Sequence, residues 1–515
     1  MAIRTLVTVD AANNWWGSNL APEIENVKNS PWLYMTFTTV PTIILNGGTS
    51  QLTANFNNVY DGDGVTPFDP AMGHLPDGCS VTFTTNLGSV GSETTTKTTI
   101  NGVATTILTA DGGMGTAKIS AIADDEKLEN NVGIINSLFV NGDTGNDSWS
   151  GTSPTFTSGT TGPLKTIQTA INKINGGGTI EIAPGTYYEH LTIGKNLTLN
   201  GNNPYGTIID GTSNDRVINI LGSPSVNINN LTLRNGNATL SAGGALLNNG
   251  GTVNISDSIL SDNTAVYVGG AICNSAGTLT IYKSSLIRNN ATSGGAIFNG
   301  GLLSIVYSSL SNNNANDGGV IYNYDGTVNI SNSYVLRNSA SYKGGAIYNI
   351  GATGTVHISN SQLNVNNATS GGVIYNVAGN INISNSSVLG NNNASSDGGV
   401  IYNELGNLII DDSFLGVNKA HNGGAIYNFD SGTITITNSQ LSGNIVTDGG
   451  GAIYNDGIDK GISNYTTISI SDSTLFENKA GYGGPSITII KLRLPFLIPI
   501  YLITTPVLWV VLLQL

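Results

Sequence analysis

The sequence predicts an all-β protein in which a β-sandwich precedes a solenoid of short parallel strands, capped by one helix. Three observations support this fold class. A motif recurs nine times between residues 243 and 455, apolar residues alternate with period two from residue 32 to 134, and residues 166–174 have helical spacing. A fixed repeat of this size indicates units that bury their apolar faces only against their neighbours.

The repeated motif is Gly-Gly, a small residue, an aliphatic residue, any residue and Asn. Successive copies start 24 to 27 residues apart. Between them, a frame of Ser, four residues and Asn also recurs nine times, from Ser258/Asn263 to Ser473/Asn478. The copies of the Gly-Gly motif start at Gly243, Gly269, Gly294, Gly318, Gly344, Gly371, Gly398, Gly423 and Gly450.

A coil of about 26 residues accommodates three short strands and three turns. Stacked parallel strands lie about 4.8 Å apart, so identical positions in successive coils touch. We expect Val253 and Ile255 to face inward, and Asn254 and Ser256 to face outward. The Gly-Gly pair is suited to turns with positive φ, and the repeated asparagines are expected to form amide ladders between coils.

One helix is predicted at residues 166–174, before the first coil. Its residues Ile167, Ala170, Ile171 and Ile174 follow the i, i+3, i+4, i+7 spacing of a buried helical face, and three glycines at 176–178 end it. A solenoid has an open apolar end, and a short amphipathic helix is a suitable cap for it.

The alternating segment at residues 32–134 has short strands separated by Gly and Asp turns, which predicts a β-sandwich. Residues 76–90, followed by residues 99–109, resemble bacterial Ig-like domains of the invasin/intimin type. That resemblance implies a spacer in a surface protein. Asp61 and Asp63 are compatible with a calcium loop, but a simple glycine turn is the favoured interpretation because further ligands are missing.

The composition restricts the classes of function. The net charge is −14 and the pI is near 4.5, with no Lys/Arg cluster to neutralise phosphates, which argues against nucleic acid. Only 10% of the residues are charged, as suits a turn-rich extracellular β protein. The two cysteines, Cys79 and Cys273, are expected in different domains and have no zinc-site spacing, so neither a disulfide, a metal nor a cofactor is predicted.

The combination of Gly-Gly-Ala-Ile with an aliphatic-x-x-Asn segment resembles the repeats of chlamydial polymorphic membrane proteins. The whole arrangement over residues 13–484 resembles methanogen adhesin-like proteins. The resemblance implies a right-handed, pectin-lyase-like parallel β-helix displayed at the cell surface. Because neither a secretion signal nor a family-type anchor is evident, we interpret the chain as an internal fragment of a longer surface protein. Besides the repeats and the Ig-like unit, the segments that carry this resemblance are residues 13–19 (NNWWGSN), 162–171 (GPLKTIQTAI), 182–188 (IAPGTYY) and 196–201 (NLTLNG).

The C-terminal residues 485–515 depart from the repeat pattern. A tenth copy starts at Gly483 but breaks at Pro485, and residues 494–513 are apolar over about one membrane thickness, with three prolines among them. We interpret this tail as a frame artefact or truncation scar, with a C-terminal membrane anchor as the alternative. The predicted parts of the chain are a remnant of a preceding module (1–31), the Ig-like sandwich (32–134), a linker (135–165), the β-helix (166–484) and the tail (485–515).

Catalytic residues are not predicted. A glycoside hydrolase needs two carboxylates that converge on one face, but Asp411 and Asp412 are adjacent on a strand and are expected on opposite faces. Asp215 and Arg216 have no further acidic partner in register, and the four histidines are dispersed.

A binding face is the stronger hypothesis. The aliphatic residue of the Gly-Gly motif is assigned inward, so the next residue is expected to face outward and to form an accessible aromatic stripe that stacks on sugar rings. The alternatives are that the rings stack only on one another or face inward. The predicted ligand-binding residues are Tyr322, Tyr348, Tyr375, Tyr402, Tyr427 and Tyr454.

These observations predict a non-catalytic, adhesin-like protein at the cell surface. Its expected partners are glycans or proteins of other cells, with a membrane only if the tail is an anchor. A polysaccharide lyase or glycoside hydrolase on the same fold is the first alternative, and a structural envelope component is the second.

Overall fold

The computed structural model describes residues 9–20, 27–239, 241–456 and 467–481, together with the backbone of residues 487–490. The described residues form two compact units, one within residues 9–138, 150–162 and 173–178, and the other within residues 139–149, 163–172 and 179–490. The all-β fold class is confirmed: an N-terminal β region precedes a long parallel β-solenoid. The domain boundaries given above stay predictions.

The first unit is a sandwich of two antiparallel-rich sheets that share one buried core. Alternation along Val103–Thr109 and Thr49–Asn55 sends every second residue inward, and Leu52, Phe83 and Leu108 are fully buried. The five-stranded sheet contains, in order, Thr94–Thr98, Ser80–Thr85, Gly115–Ala123, Glu126–Ile135 and Ile43–Leu45; the three-stranded sheet contains Val103–Thr109, Thr49–Asn55 and Thr36–Val40.

Smaller elements surround this sandwich. Trp15 packs edge-on against Phe56, with 5.0 Å between the ring centroids, and its indole N–H donates to Asp124 Oδ2 at 2.8 Å. The motif at residues 13–19 therefore packs against the sandwich core. The remaining elements are the strands Val9–Asp10, Val27–Lys28, Trp32–Leu33, Asn58–Tyr60 and Val65–Pro67 and the 3-10 helix Pro70–Met72.

The helix Ile167–Lys173 lies within the predicted span, and Ile167, Ala170 and Ile171 are buried. Both carboxylate oxygens of Glu189 accept hydrogen bonds from backbone N–H groups in its first turn, at 2.8 and 2.9 Å. These bonds satisfy donors that an α-helix leaves unpaired. Gln168 also exchanges hydrogen bonds with the backbone of Thr192, so the helix is fixed to the first coil.

The solenoid consists of four parallel sheets, named sheets 1 to 4 in the order in which a coil visits them. Sheet 1 has 13 strands, and its inward residues, such as Val253 and Ile255, are fully buried, as expected. The strands of sheet 1 are Ser137–Val140, Gly178–Ile182, Leu197–Gly201, Ser225–Asn229, Thr252–Ser256, Thr278–Tyr282, Leu302–Val306, Thr327–Ser331, Thr355–Ser359, Asn380–Ser384, Asn407–Asp411, Thr433–Thr437 and Thr467–Ser471.

Sheets 2 and 4 have 12 strands each. The strands of sheet 2 are Gly185–Tyr187, Thr207–Asp210, Thr232–Arg234, Ile259–Ser261, Ser285–Ile287, Ser309–Ser311, Tyr334–Leu336, Gln362–Asn364, Val388–Gly390, Phe414–Gly416, Gln440–Ser442 and Thr474–Phe476. The strands of sheet 4 are Leu191–Ile193, Ile218–Ile220, Leu246–Asn248, Ile272–Asn274, Ile297–Asn299, Ile321–Tyr324, Ile347–Ile350, Ile374–Val377, Ile401–Glu404, Ile426–Phe429, Ile453–Asp456 and Ile487–Ile490.

The prediction of three strands per coil is wrong from residue 237 onward, because a fourth, nine-stranded sheet is present there. A column of small buried residues, including Ala265, Ala291 and Ala394, lets these short strands approach the solenoid interior. The strands of sheet 3 are Asn237–Ala238, Thr264–Val268, Asn290–Ser293, Asn314–Asp317, Ser339–Lys343, Asn367–Ala368, Asn393–Ala394, Lys419–Ala420 and Ile445–Val446.

Both predicted amide ladders are present, and all their asparagines except the half-buried Asn478 are buried. In the ladder at the end of sheet 4, each Asn Nδ2 donates to the Oδ1 of the next coil, at 2.7 to 2.8 Å, from Asn248 to Asn455. Most of these amides also donate to the carbonyl of a nearby glycine, as Asn349 does to Gly354.

The second ladder runs from Asn263 to Asn478 and satisfies every amide atom of its inner members. Asn289 Nδ2 donates to Asn313 Oδ1 and to the Leu260 carbonyl, at 3.0 and 3.1 Å. Its Oδ1 accepts from both the backbone N–H and the Nδ2 of Asn263. Because an unpaired buried polar group costs about 1–3 kcal/mol, this complete pairing is what permits a polar column inside the solenoid.

The two glycines of each motif have different structural roles. The first has positive φ, for example +62° at Gly344, which is a backbone conformation that other residues rarely adopt. The second lies against the next coil: a Cβ at Gly345 would be 2.2 Å from the carbonyl oxygen of Gly372. One glycine therefore permits the turn and the other permits the stacking.

The prediction for the tail at residues 485–515 lies outside the described residues, apart from the backbone of Ile487–Ile490. That strand pairs in parallel with Ile453–Asp456. Within the described ranges, no helix is both long enough and apolar enough to cross a membrane.

Replacing the second glycine should separate these coils. We expect Gly345→Ala to lower the free energy of unfolding by about 1–3 kcal/mol, because the new methyl group meets backbone that cannot rotate away. Urea denaturation would measure the loss. Gly176→Ala is the control, since a Cβ there meets nothing within 4 Å; an equal loss in both variants would contradict the stacking role.

The stability of the solenoid should also fall when one amide of the ladder is lost. Asn349→Leu removes the acceptor of Asn323 Nδ2 and the donor to Asn376 Oδ1, so we expect a loss of about 2–4 kcal/mol in unfolding free energy. Asn329→Leu is the matched control, because Asn329 is a half-exposed residue of sheet 1. Similar stabilities of the two variants would show that the ladder contributes little.

Candidate binding face

The six predicted tyrosines form a single column on sheet 4. They pair in register from coil to coil, from Tyr322 to Tyr454. In each strand, the preceding Ile and the following Asn are fully buried, so the intervening tyrosine is on the outer side of the sheet. Cys273, which is buried, and Phe298 occupy the same position in the two coils before Tyr322.

The rings cover one another rather than forming an open stripe. Tyr375 and Tyr402 stack with centroids 4.4 Å apart at 7°, and Tyr427 and Tyr454 stack at 5.2 Å and 3°. Tyr348 meets Tyr375 edge-on at 5.6 Å. Since coils repeat at about the thickness of a stacked ring pair, the rings from Tyr375 to Tyr454 lie face to face, while Tyr348 meets the tyrosines of both adjacent coils edge-on.

The expectation of six accessible tyrosines is wrong for Tyr348, Tyr375 and Tyr427, whose exposed fractions are 7%, 7% and 8%. Tyr322, Tyr402 and Tyr454 are half-buried. The physical reason is the alternative arrangement given above, in which the rings stack on one another in register. A sugar ring has no free tyrosine face to stack on at the three buried positions.

Two carboxylates from the neighbouring coils bind tyrosine hydroxyls. The hydroxyl of Tyr375 donates to Glu404 Oε2, and that of Tyr427 donates to Asp456 Oδ2, both at 3.0 Å. Glu404 and Asp456 follow the ladder asparagine directly in their strands. The sequence pattern did not single out these acids, because they lie far apart along the chain and come beside the tyrosines only when the coils stack.

The residues before the Gly-Gly pair flank the other side of the column. Lys343 Nζ lies 5.3 Å from the ring centroid of Tyr348 and 4.8 Å from that of Tyr375, within cation–π range. Asp317 pairs in register with Lys343, and Asp397 Oδ1 accepts from the amide of Asn422 at 3.0 Å. This side of the column is therefore charged, with Lys343 held against tyrosine rings and Asp397 hydrogen-bonded to Asn422.

Burial controls the titration of the column. It raises the pKa of Tyr348 to about 12, with the nearby phenol of Tyr322 adding to the effect. Burial also raises the pKa of Tyr375, Tyr402 and Tyr427, where the charges of Glu404 or Asp456 contribute as well. These hydroxyls are held in their neutral, hydrogen-bonding form.

Asp411 and Arg216, which lie outside the tyrosine column, are engaged in structural contacts. Asp411 Oδ1 accepts from Thr437 Oγ1 and Asn438 Nδ2, at 2.6 and 3.1 Å. The guanidinium of Arg216 donates to the carbonyls of Ala242 and Gly243. Among the described residues, no group of three His, Cys, Asp or Glu side chains is placed to hold a metal ion.

The column should make stability depend on alkaline pH. The pKa of Tyr348, about 12 in the folded protein, exceeds the value near 10 of an unfolded chain. Its contribution to stability is therefore complete below about pH 10 and is lost as the pH rises through 12. Urea unfolding at about pH 9 and 11 should show a smaller loss for Tyr348→Phe than for the unchanged protein; equal losses would contradict the assignment.

Comparison with known proteins identifies the repeat in one coil. Residues 438–456 match the model of the Chlamydia polymorphic membrane protein repeat. This segment contains the last tyrosine of the column, Tyr454, and its ladder residue Asn455. No curated protein matches the chain.

Three solved structures show limited likeness. One is a C-terminal 282-residue fragment of intimin in complex with the intimin-binding domain of its translocated receptor, at 23% identity over 23% of this chain and 38% of that one, with a TM-score of 0.16. A pectin methylesterase variant in complex with a hexasaccharide has 15% identity over 53% of this chain and 78% of that one, with a TM-score of 0.23. A Yersinia enterocolitica family 28 exopolygalacturonase has 11% identity over 92% of this chain and 98% of that one, with a TM-score of 0.24.

Proposed function

We propose that this chain is an adhesin-like protein of the cell surface, whose β-helix binds glycans or proteins of other cells without catalysing a reaction. The observation that carries the proposal is the match of residues 438–456 to a polymorphic membrane protein repeat, because that match lies within the coils themselves. The sandwich then serves as an Ig-like spacer, and an archaeal, methanogen-like origin is part of the same proposal.

The chemistry of the outer face supports the non-catalytic part of the proposal. A hydrolase needs one carboxyl group to donate a proton and a second to act as nucleophile or base. Glu404 and Asp456 each accept a hydrogen bond from a tyrosine hydroxyl, and Asp411 accepts two side-chain hydrogen bonds. These acids act as structural acceptors between neighbouring coils.

The internal pairing of the coils supports a role in binding. Both asparagine ladders and the tyrosine column satisfy their groups within the solenoid, so the coils form a regular and preorganised surface. Preorganised surfaces bind partners with a lower entropic cost than mobile ones. Contacts with partners then depend on the exposed residues that interrupt these columns.

The full chain should be retained on whole cells or on cell-wall polysaccharides without generating new chain ends. Co-sedimentation would measure retention, and a reducing-end assay would measure cleavage. New ends that disappear in Glu404→Gln/Asp456→Asn would contradict the proposal and support a polysaccharide-degrading enzyme. If the chain is neither retained nor generates new chain ends, the result would contradict the proposal and favour a structural envelope component.

A further inference from the structure

An open groove of about 360 Å³ lies at the corner where sheet 1 turns into sheet 2. We call it the corner groove. It crosses three successive coils, because Tyr307, Asn332 and Asn360 follow the sheet 1 strands Leu302–Val306, Thr327–Ser331 and Thr355–Ser359. The groove is lined by Tyr307, Asn332, Ser333, Tyr334, Asn360 and Gln362.

The two tyrosines of the corner groove are accessible, unlike those of the column on sheet 4. Tyr307 is 58% exposed and Tyr334 is 48% exposed. In sheet 2, Tyr334 lies between Ser309 and Gln362 of the adjacent coils. Since neither neighbour is aromatic, no ring of the adjacent coils stacks on Tyr334.

The amides of the groove are also available. Among the described residues, the side chains of Asn332, Asn360 and Gln362 form no hydrogen bond, and neither do the hydroxyls of Tyr307 and Tyr334. This contrasts with the ladder asparagines, whose amides are paired from coil to coil. The groove therefore presents amide donors and acceptors and two phenols to solvent.

A second groove, of about 340 Å³ along sheet 3, provides an internal comparison. There, Thr264 Oγ1 donates to Asn237 Oδ1 at 3.0 Å, and Asn314 Nδ2 donates to Asn290 Oδ1 at 2.9 Å. Much of its hydrogen-bonding capacity is used internally. The corner groove differs in having two exposed tyrosine rings together with unpaired amides. Of these rings, Tyr307 is in a T-shaped contact with Tyr282 of the preceding coil, at 6.0 Å and 83°, and still leaves 58% of the residue exposed.

These features match the chemistry of an uncharged sugar. The C–H face of a pyranose packs against an aromatic ring, and a side-chain amide pairs with adjacent hydroxyls because it both donates and accepts. The groove lining includes no charged side chain, so a sugar carboxylate would be desolvated there without an opposite charge.

We propose that the corner groove binds a neutral oligosaccharide, with Tyr307 and Tyr334 packing on sugar rings and the amides of Asn332, Asn360 and Gln362 binding hydroxyl groups. The inference rests on the proposed function, because it assigns a site and a ligand class to that binding. It places recognition at the corner of sheets 1 and 2 rather than on the tyrosine column of sheet 4.

Calorimetric titration of the full chain with cellotetraose and mannotetraose, and with tetragalacturonic acid as the acidic counterpart, tests this assignment. We expect saturable binding of at least one neutral tetraose. The double variant Tyr307→Ala/Tyr334→Ala should raise its Kd at least about ten-fold, through loss of two ring contacts. Tyr267→Ala is the matched control, because Tyr267 is 59% exposed but lies on sheet 3, and it should leave the Kd unchanged.

Unchanged circular dichroism and melting of the double variant would confirm that the loss is local, as expected for two exposed side chains. Equal binding by the double variant and the unchanged chain would overturn the site. Preferential binding of tetragalacturonic acid would overturn the neutral ligand. A chain that binds none of the tetraoses would overturn the inference, whereas retention on cells would still decide the proposed function separately.

Discussion

The structure depends on the spacing of about 4.8 Å between stacked parallel strands. At this spacing each side chain touches the residue at the same position in the next coil. A column of identical residues is therefore stable only if the side chain can pack against, or hydrogen-bond to, another residue of its own type. Asparagine meets this condition because its amide both donates and accepts, and Asn313 shows both in its bonds to Asn289 and Asn338. Tyrosine meets this condition because its rings stack, and glycine meets it because the missing side chain leaves room for the backbone of the next coil.

The same condition explains why charges are few. Like charges repeated at this spacing would repel one another. Where acids do occur beside the tyrosine column, a neutral residue separates them. Phe429 lies in register between Glu404 and Asp456. Likewise, Asn422 binds Asp397 on one side and, on the other, the backbone of Gly449, which follows Asp448. The low charged fraction of 10% is therefore a consequence of the stacking as much as of the environment.

The period of the repeat was sufficient to predict the solenoid, the inward aliphatic residues such as Ile255, and both amide ladders, because these follow directly from stacking identical positions. The period was not sufficient to predict the fourth sheet, because a column of small residues such as Ala265 is compatible with a short strand and with a turn. The burial of Tyr375 could not be predicted from the alternation of residues either. Alternation places a side chain outside the coil, but only the distance between successive rings determines how much of each face remains open.

On a regular solenoid surface, neighbouring coils use one another's hydrogen-bonding groups and ring faces. Capacity for specific binding is therefore expected where a column of identical residues is interrupted. Tyr307 occupies a corner position held by Lys283 in the coil before and by Asn332 in the coil after. The ring of Tyr307 meets only the edge-on ring of Tyr282, at 6.0 Å and 83°, whereas Tyr375 is stacked face to face on Tyr402. The side-chain amides of Asn332 and Asn360 beside it are unpaired, although they occupy equivalent positions in successive coils. Irregularity within this column thus leaves an exposed ring and unpaired polar groups at the same place. Selection for ligand binding is expected to act on such interruptions, while the self-pairing columns preserve the frame that positions them.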